Sequence, residues 1–332
     1  MADETQLWAW LLFNAGLAPQ RAKTLLASWD QRGLTLRAVL DALPAQADAL
    51  GLTPEEVATL RLPRELPDVA ALRWNEPLYP MGLHQLPFKL RPALLFYTGE
   101  LSLLMRPLIY LAPGALDADT QQVLQETVSI LLGENLLFAA FRESPQATLL
   151  LEEMGASEGE ALLLAMQGLA HLKRSQQEQT LLKEGRLLIL SPLPPAAPPN
   201  PAWDAVLQQV ATGAAMRRVY SDPAILESTE NDANALVNAL LLTASSKTRA
   251  PRGVRIVTNA AEAALWLTEL PAAPVGGAQP ALAQTTVMPS ASFELAAEPP
   301  AGPPPAPAET LRVLEKGGRV PEALRQRLFG DT

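Results

Sequence analysis

The chain has 332 residues, of which 48% are hydrophobic and 18% charged, with a formal net charge of −9; that length suggests two domains plus tails, with enough apolar residues for a sizeable core. Cysteine is absent and the two histidines, His84 and His171, are far apart, so disulfides are excluded and neither a metal centre nor a cofactor is expected. The acidic balance argues against a strong, non-specific grip on nucleic acid by the whole chain, because phosphate neutralisation needs a basic surface, and leaves open one local basic patch.

The acidic start, Met1-Ala-Asp-Glu-Thr5, lacks the positive n-region of a signal peptide. No run of about 20 apolar residues is free of charge and proline. A cytoplasmic protein without a membrane span is expected.

Residues 4–66 read as short helices, with Leu7, Trp8, Leu11, Leu12, Leu25, Leu26 and Trp29 at helical spacing. Asn14-Ala-Gly-Leu-Ala-Pro19 is a turn, and Pro19 sits in the first turn of the next helix, where its missing N–H costs nothing. Thr53-Pro-Glu-Glu56 repeats the device with an N-cap, a proline and acids at the positive helix start. Residues 67–100 lack a regular period and read as a connecting segment followed by a short strand at 93–97.

From residue 107 apolar runs alternate with helices. Strands are expected at 108–112, 136–141, 161–166 and 187–190. Helices are expected at 117–132, 145–154, 176–184 and 203–216. Residues 218–220 read as a candidate edge strand, 232–243 as a helix, 254–257 as a last strand and 260–270 as the closing helix. This alternation predicts an α/β fold: a Rossmann-like, doubly wound, mostly parallel sheet, preceded by a small helical domain of helix-hairpin-helix or SAM-like type. The expected boundaries are 1–66 for the helical domain and 67–270 for the Rossmann-like one. Residues 271–310 carry ten of the chain's 31 prolines and read as a disordered linker. Residues 311–332 form a short amphipathic piece suited to docking.

Several segments carry a family resemblance. Trp8 to Leu26 looks like the opening helix and hairpin of the DNA-processing protein A (DprA/Smf) family. Leu78-Tyr-Pro-Met-Gly-Leu-His-Gln-Leu-Pro87 resembles its YP..L..L motif. Pro92-Ala-Leu-Leu-Phe-Tyr-Thr-Gly-Glu-Leu-Ser-Leu-Leu104 is similar to its P..L...G...LL segment, and this is the most specific match. Gly185-Arg-Leu-Leu-Ile-Leu-Ser-Pro192 resembles a family strand that ends in Ser-Glu. The resemblance implies single-stranded DNA binding and loading of a RecA-type recombinase during DNA uptake; a homodimer is a separate expectation.

The departures fall on the family's anion-binding motifs. Ala112-Pro-Gly-Ala115 stands in place of a Gly-Ser-Arg turn, so Pro113 removes a donor and no arginine is present. Ala139 to Ser144 has no glycine where the family has Ser-Gly and Gly-Ile-Asp. Val206-Leu-Gln208 stands where it has Arg-Asn-Arg. Pro192 replaces the glutamate.

Candidate nucleic-acid contacts are the stretch Lys247, Arg249, Arg252 and Arg255, with Arg217 and Arg218 nearby, and the hairpin Gly16, Arg21 and Lys23. Each has a plainer alternative: short charge runs are commonly solvated loops, and the hairpin, which lacks the second glycine of a Gly-x-Gly turn, also suits packing or protein binding. Trp74, Trp203 and Trp266 suit core or interface positions better than base stacking. Glu152, Glu153 and Glu160 are the carboxylates a nucleotide-cleaving enzyme would need, but no glycines accompany them to hold phosphate, and no catalytic activity is expected. The alternative to DNA handling is a non-catalytic interaction or oligomerisation module that kept the fold.

Overall fold

The computed structural model describes residues 3–60, 66–84, 86–200, 206–208, 210, 215–228, 238–244, 248–251 and 254–269. All of them belong to one compact unit, Met1–Gln279. The linker and the docking peptide expected at 271–310 and 311–332 lie outside the described residues, as does Trp203.

Four helices open the chain: α1 (Glu4–Phe13), α2 (Pro19–Gln31), α3 (Leu36–Gln46) and α4 (Pro54–Thr59). Asp3, Thr35 and Thr53 cap three of them, each accepting from a backbone N–H of the first turn. α1 buries Leu7, Trp8, Trp10, Leu11 and Leu12 on all sides, because it lies between α2, α3 and the sheet. Trp8 meets Trp74 edge to face, with ring centroids 5.4 Å apart, and so ties the helices to the sheet.

The sheet has nine strands: β1 (Ala71–Arg73), β2 (Leu94–Gly99), β3 (Leu108–Leu111), β4 (Leu137–Phe141), β5 (Glu160–Leu164), β6 (Leu187–Ser191), β7 (Ala215–Tyr220), β8 (Ala239–Leu242) and β9 (Arg255–Val257), in the spatial order β1-β2-β6-β5-β4-β3-β7-β8-β9. β1–β2 and β2–β6 pair antiparallel, and every other pair is parallel. Helices cover the parallel strands, so β3, β4, β6 and β8 are buried along their whole length and read as unbroken apolar runs. Between the strands run α5 (Met81–His84), α6 (Ala118–Leu131), α7 (Pro145–Ala156), α8 (Gln176–Lys183) and α9 (Pro223–Ser228), and α10 (Ala260–Thr268) follows β9. α10 packs on α6, α6 on α7 and α7 on α8.

The mixed, mostly parallel sheet agrees with the expected class, with four differences, of which the first is strand β1 (Ala71–Arg73) inside the segment read as an irregular connection. Residues 239–242 are strand β8 rather than the end of a helix: inside a parallel sheet an Ala-Leu-Leu-Leu run gains more from ladder bonds and two-sided burial than from its helix propensity. Residues 218–220 belong to an internal strand between β3 and β8, not to an edge. That strand begins at Ala215, where the helix expected at 203–216 would still be running.

Candidate functional site at the carboxyl edge of the sheet

Strand order reverses between β3 and β7: the chain leaves β3 toward β4 on one side and β7 toward β8 on the other. Crevices beside such a reversal, at the carboxyl ends of the strands, are the usual ligand sites of open α/β sheets. A cleft of about 480 Å³ lies there, lined by Ala112, Pro113 and Gly114 after β3, Phe141, Glu143 and Ser144 after β4, Met166 after β5, and Ile225 of α9.

Three helices begin around this cleft, α6, α7 and α9, and each would offer unpaired N–H groups and a positive dipole end to an anion. The protein supplies the oxygens itself. Asp117 accepts from Thr120 N–H at 2.8 Å and from the Thr120 hydroxyl at 2.8 Å, contacts that hold its carboxyl below the ordinary aspartate value. Ser144 accepts from Ala147 N–H at 3.2 Å. Asp222 accepts from Ala224 N–H at 2.9 Å at the start of α9.

Asp222 also reaches across the reversal. Its Oδ2 accepts from Ala115 N–H at 3.0 Å, in the turn where a phosphate-binding loop would present its donors. Gly114 is required by this contact: a Cβ there would come within 2.5 Å of the Asp222 Cβ. Gln146, 1% exposed, fastens the same turn, donating from Nε2 to Gly114 O and to Ser221 Oγ, each at 3.0 Å. With Pro113 lacking an N–H, the turn has little left to give a ligand.

The charges around the cleft are unfavourable to phosphate. Burial pushes the Glu143 carboxyl above its ordinary value, against hydrogen bonding and the neighbouring Arg142. Arg142 is committed elsewhere: its Nε and Nη2 donate to Glu178 at 2.7 and 3.1 Å, and Nη2 also to Lys173 O at 2.7 Å. Glu178 is 2% exposed. Burial raises its pKa, but the Arg142 guanidinium and the Ser175 N–H and hydroxyl more than offset that, so its carboxyl lies below the usual range.

The predicted contacts are scattered. Arg217, 6% exposed, lies inside β7 with its guanidinium carbon 4.0 Å from the Trp266 ring centre, and it donates to Glu269 O and to Asn238 Oδ1; burial lowers its pKa. Arg218 beside it is also buried. Arg255 sits at the start of β9 and pairs with Glu262 at 3.0 Å. Arg249 is exposed; Lys247 and Arg252 lie outside the described residues. Gly16 occupies the left-handed region with φ +78° and makes the α1–α2 turn. Arg21 is paired with Glu56 at 2.7 and 2.9 Å, an ion pair that also draws the Glu56 carboxyl down to about 2. Lys23 points inward and donates to Phe88 O and Lys89 O. Trp74 is buried against Trp8 and Phe88. Glu160 pairs with Arg106 at 3.3 Å. Among the described residues, no group of three or more His, Cys, Asp or Glu is placed to hold a metal ion, and no helix is long and apolar enough to cross a membrane.

Solved structures that the fold resembles include two of DNA processing protein A. That from Streptococcus pneumoniae matches with TM-score 0.55 and 16% identity, covering 80% of this chain and 98% of that one. That from Helicobacter pylori, whose study concerns its single-stranded DNA binding mode, matches with TM-score 0.45 and 12% identity, covering 60% of this chain and 96% of that one. The first of these establishes a DprA-like fold for this chain. No protein-family model and no curated protein matches the sequence.

Proposed function

We propose that this protein is a DNA-processing protein of the DprA kind that handles single-stranded DNA weakly, without gripping phosphate at the top of its sheet. The fold, which spans nearly all of the pneumococcal protein, supports the DNA-processing role. The observation that carries the qualification is the Asp222 carboxylate on the Ala115 N–H: a fixed negative charge occupies the place where a phosphate oxygen would accept, and a second carboxyl, Glu143, lines the same cleft. DNA contact then falls to Lys247, Arg249 and Arg252. Recombinase loading in DNA uptake, and self-association, are the roles such a protein would serve.

A second reading, a non-catalytic interaction module, is favoured by one observation. Arg21 and Arg255 are each paired with a carboxylate, and Lys23 and Arg217 are buried and bonded within the chain, so little of this predicted charge is offered outward unpaired. Filter binding of hydroxyl-ended oligo-dT at low and moderate salt separates the two. The first reading predicts measurable binding at low salt, a shallow salt slope, and loss when Lys247, Arg249 and Arg252 are changed together to Ala. No binding at low salt leaves the interaction module.

A further inference from the structure

A second cavity, of about 210 Å³, lies between the α1–α2 hairpin and the antiparallel edge of the sheet. Its polar lining comes from Gln20 and three cations, Lys23, Lys89 and Arg91, set among apolar groups that include Phe13, Leu94, Pro192 and Pro194. No carboxylate lines it among the described residues. We propose that this cavity binds a phosphate group, either free or terminal on a nucleotide. The inference goes beyond the proposed function and does not depend on it.

Three observations support it. First, the cations are crowded without neutralisation. None of the three forms an ion pair among the described residues, although Arg91 is close enough to Lys23 to disfavour its charge. A buried charge unmatched by an opposite one is costly, and a bound anion removes that cost.

Second, Lys23 is only 8% exposed and is held in place by Phe88 O, Lys89 O and the Phe88 ring, 4.9 Å away. Its ammonium is therefore pre-positioned rather than waving in solvent. Arg91 is held in the same way by His84 O and Leu86 O, while its buried Nε–H has no acceptor among the described residues. Buried donors without acceptors are rare and mark a missing partner.

Third, Pro19 and Gln20, in the first turn of α2, also line the cavity. That helix has no side-chain cap, unlike the three helix starts at the sheet top, so its positive end adds to the field there.

The test is calorimetric titration of the full chain at pH 7 with inorganic phosphate and, separately, with thymidine 5′-monophosphate. We expect millimolar or tighter binding of at least one. Lys89 is exposed, so Lys89→Ala should fold normally and weaken binding about fivefold, the effect of one unit charge about 4 Å away in water; adding Arg91→Gln should abolish it. A tighter thymidine monophosphate assigns the site to nucleotides, and equal affinities assign it to phosphate alone. Failure of both probes, or unchanged affinity in both variants, overturns the proposal. Because the oligo-dT above carries no terminal phosphate, the two tests fail independently.

Discussion

The two clefts partner their charges in opposite ways. At the carboxyl edge of the sheet, where the fold would place an anion, helix starts and turn N–H groups are met by Asp117, Ser144 and Asp222, and Arg142, next to the cleft-lining Glu143, is bound to Glu178. At the junction of α2 with β2, three cations line one cavity without a carboxylate. The chain thus carries its own anions where an anion site is expected and leaves positive charge uncompensated elsewhere. A net charge of −9 does not show where phosphate could bind. Local pairing decides it.

The comparison can be broken most forcefully at Arg142. Its removal strands Glu178 in the interior, and losing one partner of a buried ion pair costs about 3–5 kcal/mol. Urea unfolding of Arg142→Ala should show a loss near the low end of that range, since Arg142 itself is partly solvated; a loss below about 1 kcal/mol would mean the pair behaves as a surface one. Glu178 also fixes a pH dependence. Its folded carboxyl is lowered, so the stability it contributes is full above the unfolded glutamate value and disappears as pH falls through the folded one. In Arg142→Ala burial acts unopposed by the guanidinium and the folded carboxyl rises, so the share of acid destabilisation that comes from Glu178 should shrink or reverse relative to the wild type.

Gly114→Ala comes next. The new Cβ meets the Asp222 Cβ, and overpacking of this kind costs about 1–3 kcal/mol. Combining it with Asp222→Gly, which removes the opposing Cβ, should recover part of the loss. Strictly additive effects would show that the two loops are not in contact.

A smaller effect sharpens the other side of the comparison. Burial, with Arg91 adding to it, lowers Lys23 to about 8. The groups facing its ammonium are the Phe88 and Lys89 carbonyls, the Phe88 ring and Arg91. Lys23 is charged below that pH and neutral above it, and a bound anion moves the midpoint upward. Sulfate, divalent throughout, should therefore bind more weakly at pH 9.5 than at pH 7. Equal affinity at both would remove Lys23 from the site.

The sequence reveals the sheet better than the site. Apolar runs such as Leu137–Phe141 and Leu187–Ser191 are bounded by turn residues and have no other stable use than a covered strand. The run Ala239–Leu242 has only Asn238, at φ +57°, to mark its start, and Ala and Leu favour helix locally, so its neighbours in the sheet decide it. Arg217 and Arg218 look like surface residues; nothing local announces that Trp266, nearly fifty residues on, will stack on one of them. Arg21 and Lys23 seem to belong together in the hairpin, yet two residues on a helix are about 200° apart, so one faces Glu56 and the other the interior. The loss of donors at Ala112-Pro-Gly-Ala115 is visible in the sequence. The carboxylate that completes that loss is not, because Asp222 is 107 residues away from Ala115 and becomes its neighbour only when β3 and β7 pair.

The most direct test of the closed sheet-top turn replaces that carboxylate by its neutral isostere. In Asp222→Asn the amide oxygen can accept from only one of Ala115 and Ala224, so the charge and one acceptor are lost while the shape is kept. Low-salt titration with hydroxyl-ended oligo-dT should show weak binding to the wild type and about fivefold tighter binding to Asp222→Asn, the effect of about 1 kcal/mol between unit charges 4 Å apart in water. Micromolar binding by the wild type with a steep salt slope, unchanged in Asp222→Asn, would contradict it.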